Sequence, residues 1–220
     1  MAAESDRRRR RMDGAARRQG ARREEARDEA RERIIEAARR LFTADGYPAV
    51  SIRRIMGEAG GATMSFYTYF ESKQALLRVL WGDILDEMFE VSAAAVEQAA
   101  RDAPAGAEAV ARRRAFLRAY AQFWWANADK FRLVFLVEDR LESGQDSFYV
   151  DTARIYERFS AAGGLGDAAP DSPEAKALEL QLQTALASIT GLLLIHITIS
   201  EYPWRAFDEM LDEMLARLTG

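Results

Sequence analysis

A chain of 220 residues with no cysteine and one histidine, His196, has no disulfides, thiolate metal sites or cysteine nucleophiles, and lacks the usual parts for zinc or Ser-His-Asp chemistry. Its 49% hydrophobic content supports a real core and argues against wholesale disorder. The net charge of −4 conceals an asymmetry: residues 1–80 hold 18 Lys and Arg against 12 Asp and Glu, and the remainder hold 13 against 23, so a basic third suited to a polyanion precedes an acidic body.

The chain opens "MAAESDRRRRRMDGAARRQG", arginines with no apolar core behind them, so no secretory signal is read and a cytoplasmic location is expected. Residues 1–23 read as a basic flexible arm, interrupted by Gly14 and Gly20, that adds phosphate attraction or reaches a minor groove. The bland reading of Arg7–Arg11 is a solvated tail, and Met12 offers a second start that would exclude the run. The basic residues are 28 Arg and 3 Lys, which suits phosphate and guanine edges but is also what a GC-rich genome produces.

Helical periodicity begins at Glu24, with Ile34, Ala38, Leu41 and Phe42 on one stripe. Gly46 is expected to end this helix in a left-handed cap, and Pro48 cannot continue it. Ser51 caps a short second helix, "IRRIMGEA", whose apolar face is Ile52, Ile55, Met56 and Ala59. Gly60 and Gly61 break it. "ATMSFYTYF" predicts a third helix, and Ser72 caps a fourth. The aromatics Phe66, Tyr67, Tyr69 and Phe70 come as adjacent pairs, so one face cannot bury them all. On a helical wheel Ala62, Phe66 and Phe70 point toward Ile52, Ile55 and Leu41, leaving Tyr67 outside and Tyr69 at the boundary. Two short helices across a glycine break form a helix-turn-helix signature.

Further helices are predicted over residues 73–100, 108–126, 128–141, 146–160, 174–200 and 204–218, with a loop at "AAGGLGDAAPDSP". The fold class is all-α: a three-helix DNA-binding domain at residues 24–72 and a helical bundle at 73–220. The stretch "ALASITGLLLIHITIS" is mostly apolar but too short for a comfortable membrane span, and polar Glu179, Gln181 and Gln183 lie just upstream. Together with "FDEMLDEMLARL" it suits a four-helix dimer interface, with His196 as a packed, hydrogen-bonded interface residue. No membrane association is expected. The aromatics of the middle helices are plain core on the bland reading. On the functional one they line an apolar pocket.

The arrangement over Ser51–Leu77 resembles the TetR family of bacterial transcriptional regulators. The matching residues are Ser51, Ala59, Gly60, Phe66, Tyr67, Tyr69, Phe70, Lys73 and Leu76, and "IIEAARRLFTADGY" resembles the family's first helix. The resemblance covers about 50 residues. Three positions depart from the family pattern. Gly61 replaces an apolar residue, Ala62 replaces a capping Ser whose role Thr63 would take over one residue later, and Met64 replaces a small residue.

The resemblance implies that Thr63–Phe70 enters the major groove. Ser51 and Arg53 then approach backbone or base edges, with Arg53 the best candidate for bidentate guanine readout. Met64, Ser65 and Thr68 face the bases or their surroundings, while Tyr67, Tyr69 and Lys73 bind phosphate. The bland reading pairs Arg53 with Glu58 and packs the tyrosines on the fourth helix. The resemblance also implies a homodimer through the last two helices on palindromic double-stranded operator DNA. It implies a small apolar effector lodged among Phe116, Tyr120, Phe123, Trp124, Phe135 and Tyr156, which releases a repressor by favouring wider separation of the DNA heads. No enzyme activity, cofactor or metal is expected. The alternatives are a helical carrier or enzyme for a hydrophobic ligand, and a regulator without a small-molecule ligand. The visible carboxylate pair, Glu138 and Asp139, is adjacent in sequence and diverges on a helix.

Overall fold

The computed structural model describes residues 2–137, 158, 161, 172–199 and 201–218, with side chains from Gln19 onward. The chain divides into two compact units, Met1–Leu80 and Trp81–Gly220. The expected division at 72/73 falls within the first unit, because the buried Leu76, Leu77 and Leu80 belong with it.

In the first unit, α1 (Ala2–Asp45) is a single helix of 44 residues. Residues 1–23 were expected to form a flexible arm, but the helix runs from Ala2. Alanine, arginine and glutamate all favour helix, and Gly14 and Gly20 each cost only about 1 kcal/mol relative to alanine. Its buried positions are Ile34, Ile35, Ala37, Ala38, Leu41 and Phe42, a wider stripe than the periodicity alone marks. Gly46 ends α1 with φ +79° and ψ 147°. This is an extended, glycine-only conformation and not the left-handed helical cap expected. A short 3₁₀ turn at Tyr47–Ala49 follows.

The second helix, α2 (Ile52–Glu58), starts on Ser51, whose hydroxyl accepts the Arg54 amide at 3.2 Å. It ends in a Schellman motif: Gly61 N donates to Met56 O at 2.8 Å and Gly60 N to Gly57 O at 3.3 Å, with Gly60 at φ +72°. The next segment, Thr63–Thr68, is a 3₁₀ helix of six residues, where an α-helix was expected. Threonines and aromatics favour helix weakly, the segment is too short to nucleate one, and Ala62 caps it without a side-chain bond. Thr63 does not take over the cap. It is the first residue of the 3₁₀ helix.

Helix α3 (Lys73–Asp102) is capped by Ser72, whose hydroxyl accepts the Ala75 amide at 3.0 Å. In the second unit α3 contributes Trp81, Ile84, Leu85, Met88 and Phe89 to the core. Helix α4 (Glu108–Ala126) lies at its centre, packed by α5 (Ala128–Phe135), α6 (Pro173–Thr198) and α7 (Phe207–Leu218). Helix α5 stops at Phe135, short of the predicted end. Helix α7 starts at Phe207, beyond the predicted Trp204. Ser172 caps α6 and Pro173 occupies its first turn, a position where the missing N–H costs nothing. The helix predicted over 146–160 and the pair Glu138 and Asp139 lie outside the described residues.

Candidate nucleic-acid interface

The helix-turn-helix separates its aromatics by burial. Phe66 is 0% and Phe70 5% exposed, with ring centroids 5.6 Å apart, and both lie in the core of the first unit. Met64 is 80% and Tyr67 56% exposed. Thr63, Thr68, Ser51 and Arg53 are exposed as well, so the segment carries one continuous outward surface on an anchored base. Ser65 is half-buried, and its hydroxyl donates to Ala62 O at 2.6 Å, leaving it only as an acceptor. Tyr69 is half-buried beside a notch of about 380 Å³ formed with Glu24, Arg27, Asp28 and Arg31 of α1.

The charges around Arg53 are already paired with one another. Arg54 binds Asp45 at 2.8 Å, and Glu58 takes Arg40 at 3.3 Å. Arg53 has no ion pair among the described residues, so its fork is free for a base edge or phosphate. Lys73 is placed differently. Its ammonium donates to Tyr47 O at 2.9 Å and to Val50 O at 2.8 Å, and lies 4.1 Å from the centroid of the Tyr47 ring. Partial burial lowers its pKa from the ordinary lysine value. Lys73 therefore fastens α3 to the turn after α1, and only one N–H remains for a phosphate.

Gly61, the departure from the family pattern, has a structural counterpart. A Cβ built there would lie 2.6 Å from Met56 Cε, so the Met56 methyl occupies the room that a side chain at 61 would take. A Schellman turn is commonly closed by an apolar contact between these two positions. Here Met56 fills both halves of it.

In the second unit Phe116, Tyr120, Phe123 and Trp124 are all buried in tilted and edge-to-face ring contacts, with Phe131 and Phe135 edge-on to Trp124 at 6.1 and 5.1 Å. Phe135 is 39% exposed and forms the open edge of the cluster, while Tyr156 lies outside the described residues. The Tyr120 hydroxyl is 2.9 Å from Thr190 Oγ1, and burial pushes its pKa up to about 12. The neighbouring Thr190 and Trp124 side chains temper that rise. The open recess near this cluster, about 420 Å³, is lined instead by Phe89, Ser92, Val96, Arg112 and Arg158, and Phe89 stacks on Phe116 at 6.3 Å.

His196 sits in an aromatic nest of Trp125, Trp204 and Phe207, each 5.8 Å away, with Nδ1 2.9 Å from Leu192 O and Nε2 3.2 Å from Arg205 O. Helix α6 is long and apolar enough to cross a membrane by length and composition, and only 28% of its most apolar window is buried. Its covered side carries Leu182, Ala185, Ile189, Leu192 and Leu193. Leu180, Thr184, Ala187, Gly191 and Leu194 form the uncovered side, at alternating four- and three-residue steps. Next to α7, a groove of about 770 Å³ runs along Arg205, Glu209, Met210, Glu213 and Met214.

An anchored helix-turn-helix followed by a second unit that is helical in its described elements defines the class: a helix-turn-helix protein. Residues 34–80 match the model of the bacterial regulatory proteins of the tetR family. Over 50 residues the chain is 44% identical to an uncharacterized HTH-type transcriptional regulator, YerO, of Bacillus subtilis. That stretch is 23% of this chain, which spans 17% of the length of this curated relative. The fold is similar to the putative regulatory protein SCO4313, with a TM-score of 0.67 and 17% identity over 89% of this chain and 97% of that one. It is also similar to the fatty acid degradation regulator FadR from Bacillus halodurans, with a TM-score of 0.54 and 14% identity over 87% and 95%. The transcriptional regulator FadR from Bacillus subtilis, solved in complex with stearoyl-CoA, gives 0.58 and 16% over 86% and 97%. The similarity to the tetR-family regulators in sequence is thus carried by residues 34–80, and the solved structures extend it to the fold.

Proposed function

We propose that the protein is a cytoplasmic, sequence-specific transcriptional regulator that binds a palindromic operator as a homodimer and is released by a small apolar effector. The observation that carries this reading is the outward surface of Thr63–Thr68. Next to the buried Ile55, Met56 and Phe66, Met64 is 80% exposed beside Tyr67. Arg53 is exposed on α2 of the same motif, and guanidinium, hydroxyls and a thioether are suited to guanine edges, phosphates and thymine methyls respectively. Ser51, Thr63, Ser65, Thr68 and Tyr69 complete the contact set, and Lys73 positions the frame.

One such unit offers little area, so two copies are needed for a tight site. The uncovered side of α6, with small Ala187 and Gly191 between Leu180 and Leu194, and the α7 groove supply the surface for the second copy. The effector is assigned to the aromatic cluster of Phe116, Tyr120, Phe123, Trp124 and Phe135, with Tyr156. Phe135, the exposed edge of the cluster, marks the entrance. FadR's complex with stearoyl-CoA supports an elongated acyl compound as the class to try first.

Selection from randomised duplexes tests the reading. Full-length protein should enrich one palindrome, and Leu194→Glu should yield a monomer by light scattering that no longer enriches it. Recovery of no motif by the full-length dimer would remove the DNA-binding reading.

A further inference from the structure

The charge of the first unit is concentrated at one end. Residues 1–23 hold nine arginines against Glu4, Asp6 and Asp13, while residues 24–80 hold nine basic and nine acidic side chains. The helix-turn-helix proper is thus electrically neutral, and much of what it has is spent internally, as with Arg54 on Asp45 and Arg40 on Glu58. A neutral head is a poor fit for DNA, whose affinity for proteins comes largely from phosphates neutralised and counterions released.

The missing charge lies on the same helix that borders the reading surface. Tyr69 shares its notch with Glu24, Arg27, Asp28 and Arg31, and the Arg31 guanidinium lies 5.4 Å from the centroid of the Phe70 ring. The chain N-terminal to Glu24 therefore leaves from the edge of the DNA-facing surface. It leaves as helix, since α1 is continuous from Ala2. Residues 2–23 then extend about 33 Å at 1.5 Å per residue, roughly the length of ten base pairs. Arg22 and Arg23 are exposed and unpaired among the described residues.

We infer that the N-terminal half of α1, through Arg7–Arg11, Arg17, Arg18, Arg22 and Arg23, is a helical clamp for the sugar-phosphate backbone of the duplex flanking the site read by Thr63–Thr68. It supplies most of the protein's phosphate contacts and none of its base readout. This rests on the DNA-binding reading above and separates affinity from specificity within one unit: Arg53 and Met64 select sequence, and the extension holds the duplex.

The test uses the full chain with all nine arginines changed to glutamine, and a second variant in which only Arg17, Arg18, Arg22 and Arg23 are changed. Circular dichroism confirms that each is folded. Both are compared with wild type by selection from randomised duplexes, then by binding to the selected duplex and to a mixed-sequence 40-base-pair duplex between 50 and 300 mM salt. The selected motif should be unchanged. For the nine-fold variant the slope of log K against log salt should fall in magnitude by about three or more, since each phosphate contact contributes about 0.9. Affinity for both duplexes should drop at least about tenfold near 150 mM salt, and the four-fold variant should fall between. An unchanged slope with an unchanged motif would overturn the clamp while leaving the DNA-binding reading intact. Loss of the motif with the slope preserved would also overturn it, because the arginines would then be reading bases. If wild type itself selects nothing, both readings fall together.

Discussion

Tyr67 and Tyr120 are the same residue in opposite circumstances, and the contrast separates what each unit is built to do. Tyr67 is 56% exposed on a short 3₁₀ helix, its ring edge-on to buried Phe66 at 5.5 Å and its hydroxyl in water. Tyr120 is 3% exposed on α4, its hydroxyl held by Thr190 and its ring among Phe116 and Trp124. A buried hydroxyl needs its partner, because leaving it unsatisfied costs about 1–3 kcal/mol. An exposed one is available for a ligand. The first unit spends its tyrosine on the surface, and the second spends it on order.

Removing the centre of the buried cluster should have the largest effect. Trp124→Ala leaves a cavity among Tyr120, Phe123, Phe131 and Phe135, and thermal or urea denaturation should show a loss of about 3–5 kcal/mol. Retention of wild-type stability would mean that the cluster is already loosely packed.

Arg53→Ala should leave stability within about 0.5 kcal/mol and weaken operator binding by about 1–3 kcal/mol, relaxing preference at one base pair. A uniform loss across sequences would reassign Arg53 to phosphate.

Tyr120→Phe should cost about 1 kcal/mol near neutral pH through the lost Thr190 bond, and its pH dependence should differ from that of the wild type. The wild-type phenol is held to about 12 in the fold against 10.0 in the open chain. Between these values the folded state keeps a proton that the unfolded state has lost, so the contribution is full below about pH 10 and declines as pH rises toward 12. Urea midpoints should show that decline, ultimately ~3 kcal/mol, in the wild type and not in Tyr120→Phe. Parallel curves would show that the hydroxyl reaches solvent.

Tyr67→Phe completes the comparison with the smallest effect on the fold. Stability should change by less than about 0.5 kcal/mol, while operator affinity falls by about 1 kcal/mol, measured by fluorescence anisotropy. A destabilisation matching that of Tyr120→Phe would erase the distinction between the two units.

Local chemistry made much of this legible from the sequence. The hydroxyls of Ser51 and Ser72 cap the helices that follow them, as their positions ahead of apolar runs imply. The division of Phe66 and Phe70 from Tyr67 follows from adjacency and helical phase, even though the segment proved to be 3₁₀. What could not be read depends on contacts distant in sequence. The partners of Lys73 are carbonyls at Tyr47 and Val50, and Arg54 is neutralised by Asp45, so which cation remains free for DNA is decided by the tertiary fold. For α1, the glycines at 14 and 20 weighed more in the reading than in the molecule, where the surrounding arginine, alanine and glutamate carry the helix through.

Met56 and Gly61 constrain which paths of substitution are open to this turn. A side chain added at 61 meets the Met56 methyl, and shortening Met56 alone empties the space that Gly61 cannot fill. The Met56 methyl is the far end of a flexible side chain and can move aside for a side chain at 61, whereas Met56→Ala with glycine retained leaves the space empty, so the two positions are expected to be epistatic. A double-mutant cycle of Gly61→Val and Met56→Ala should return a coupling of about 1 kcal/mol or more, favouring the pair. The two positions share one small volume, so the residue found at either sets what the other can usefully be.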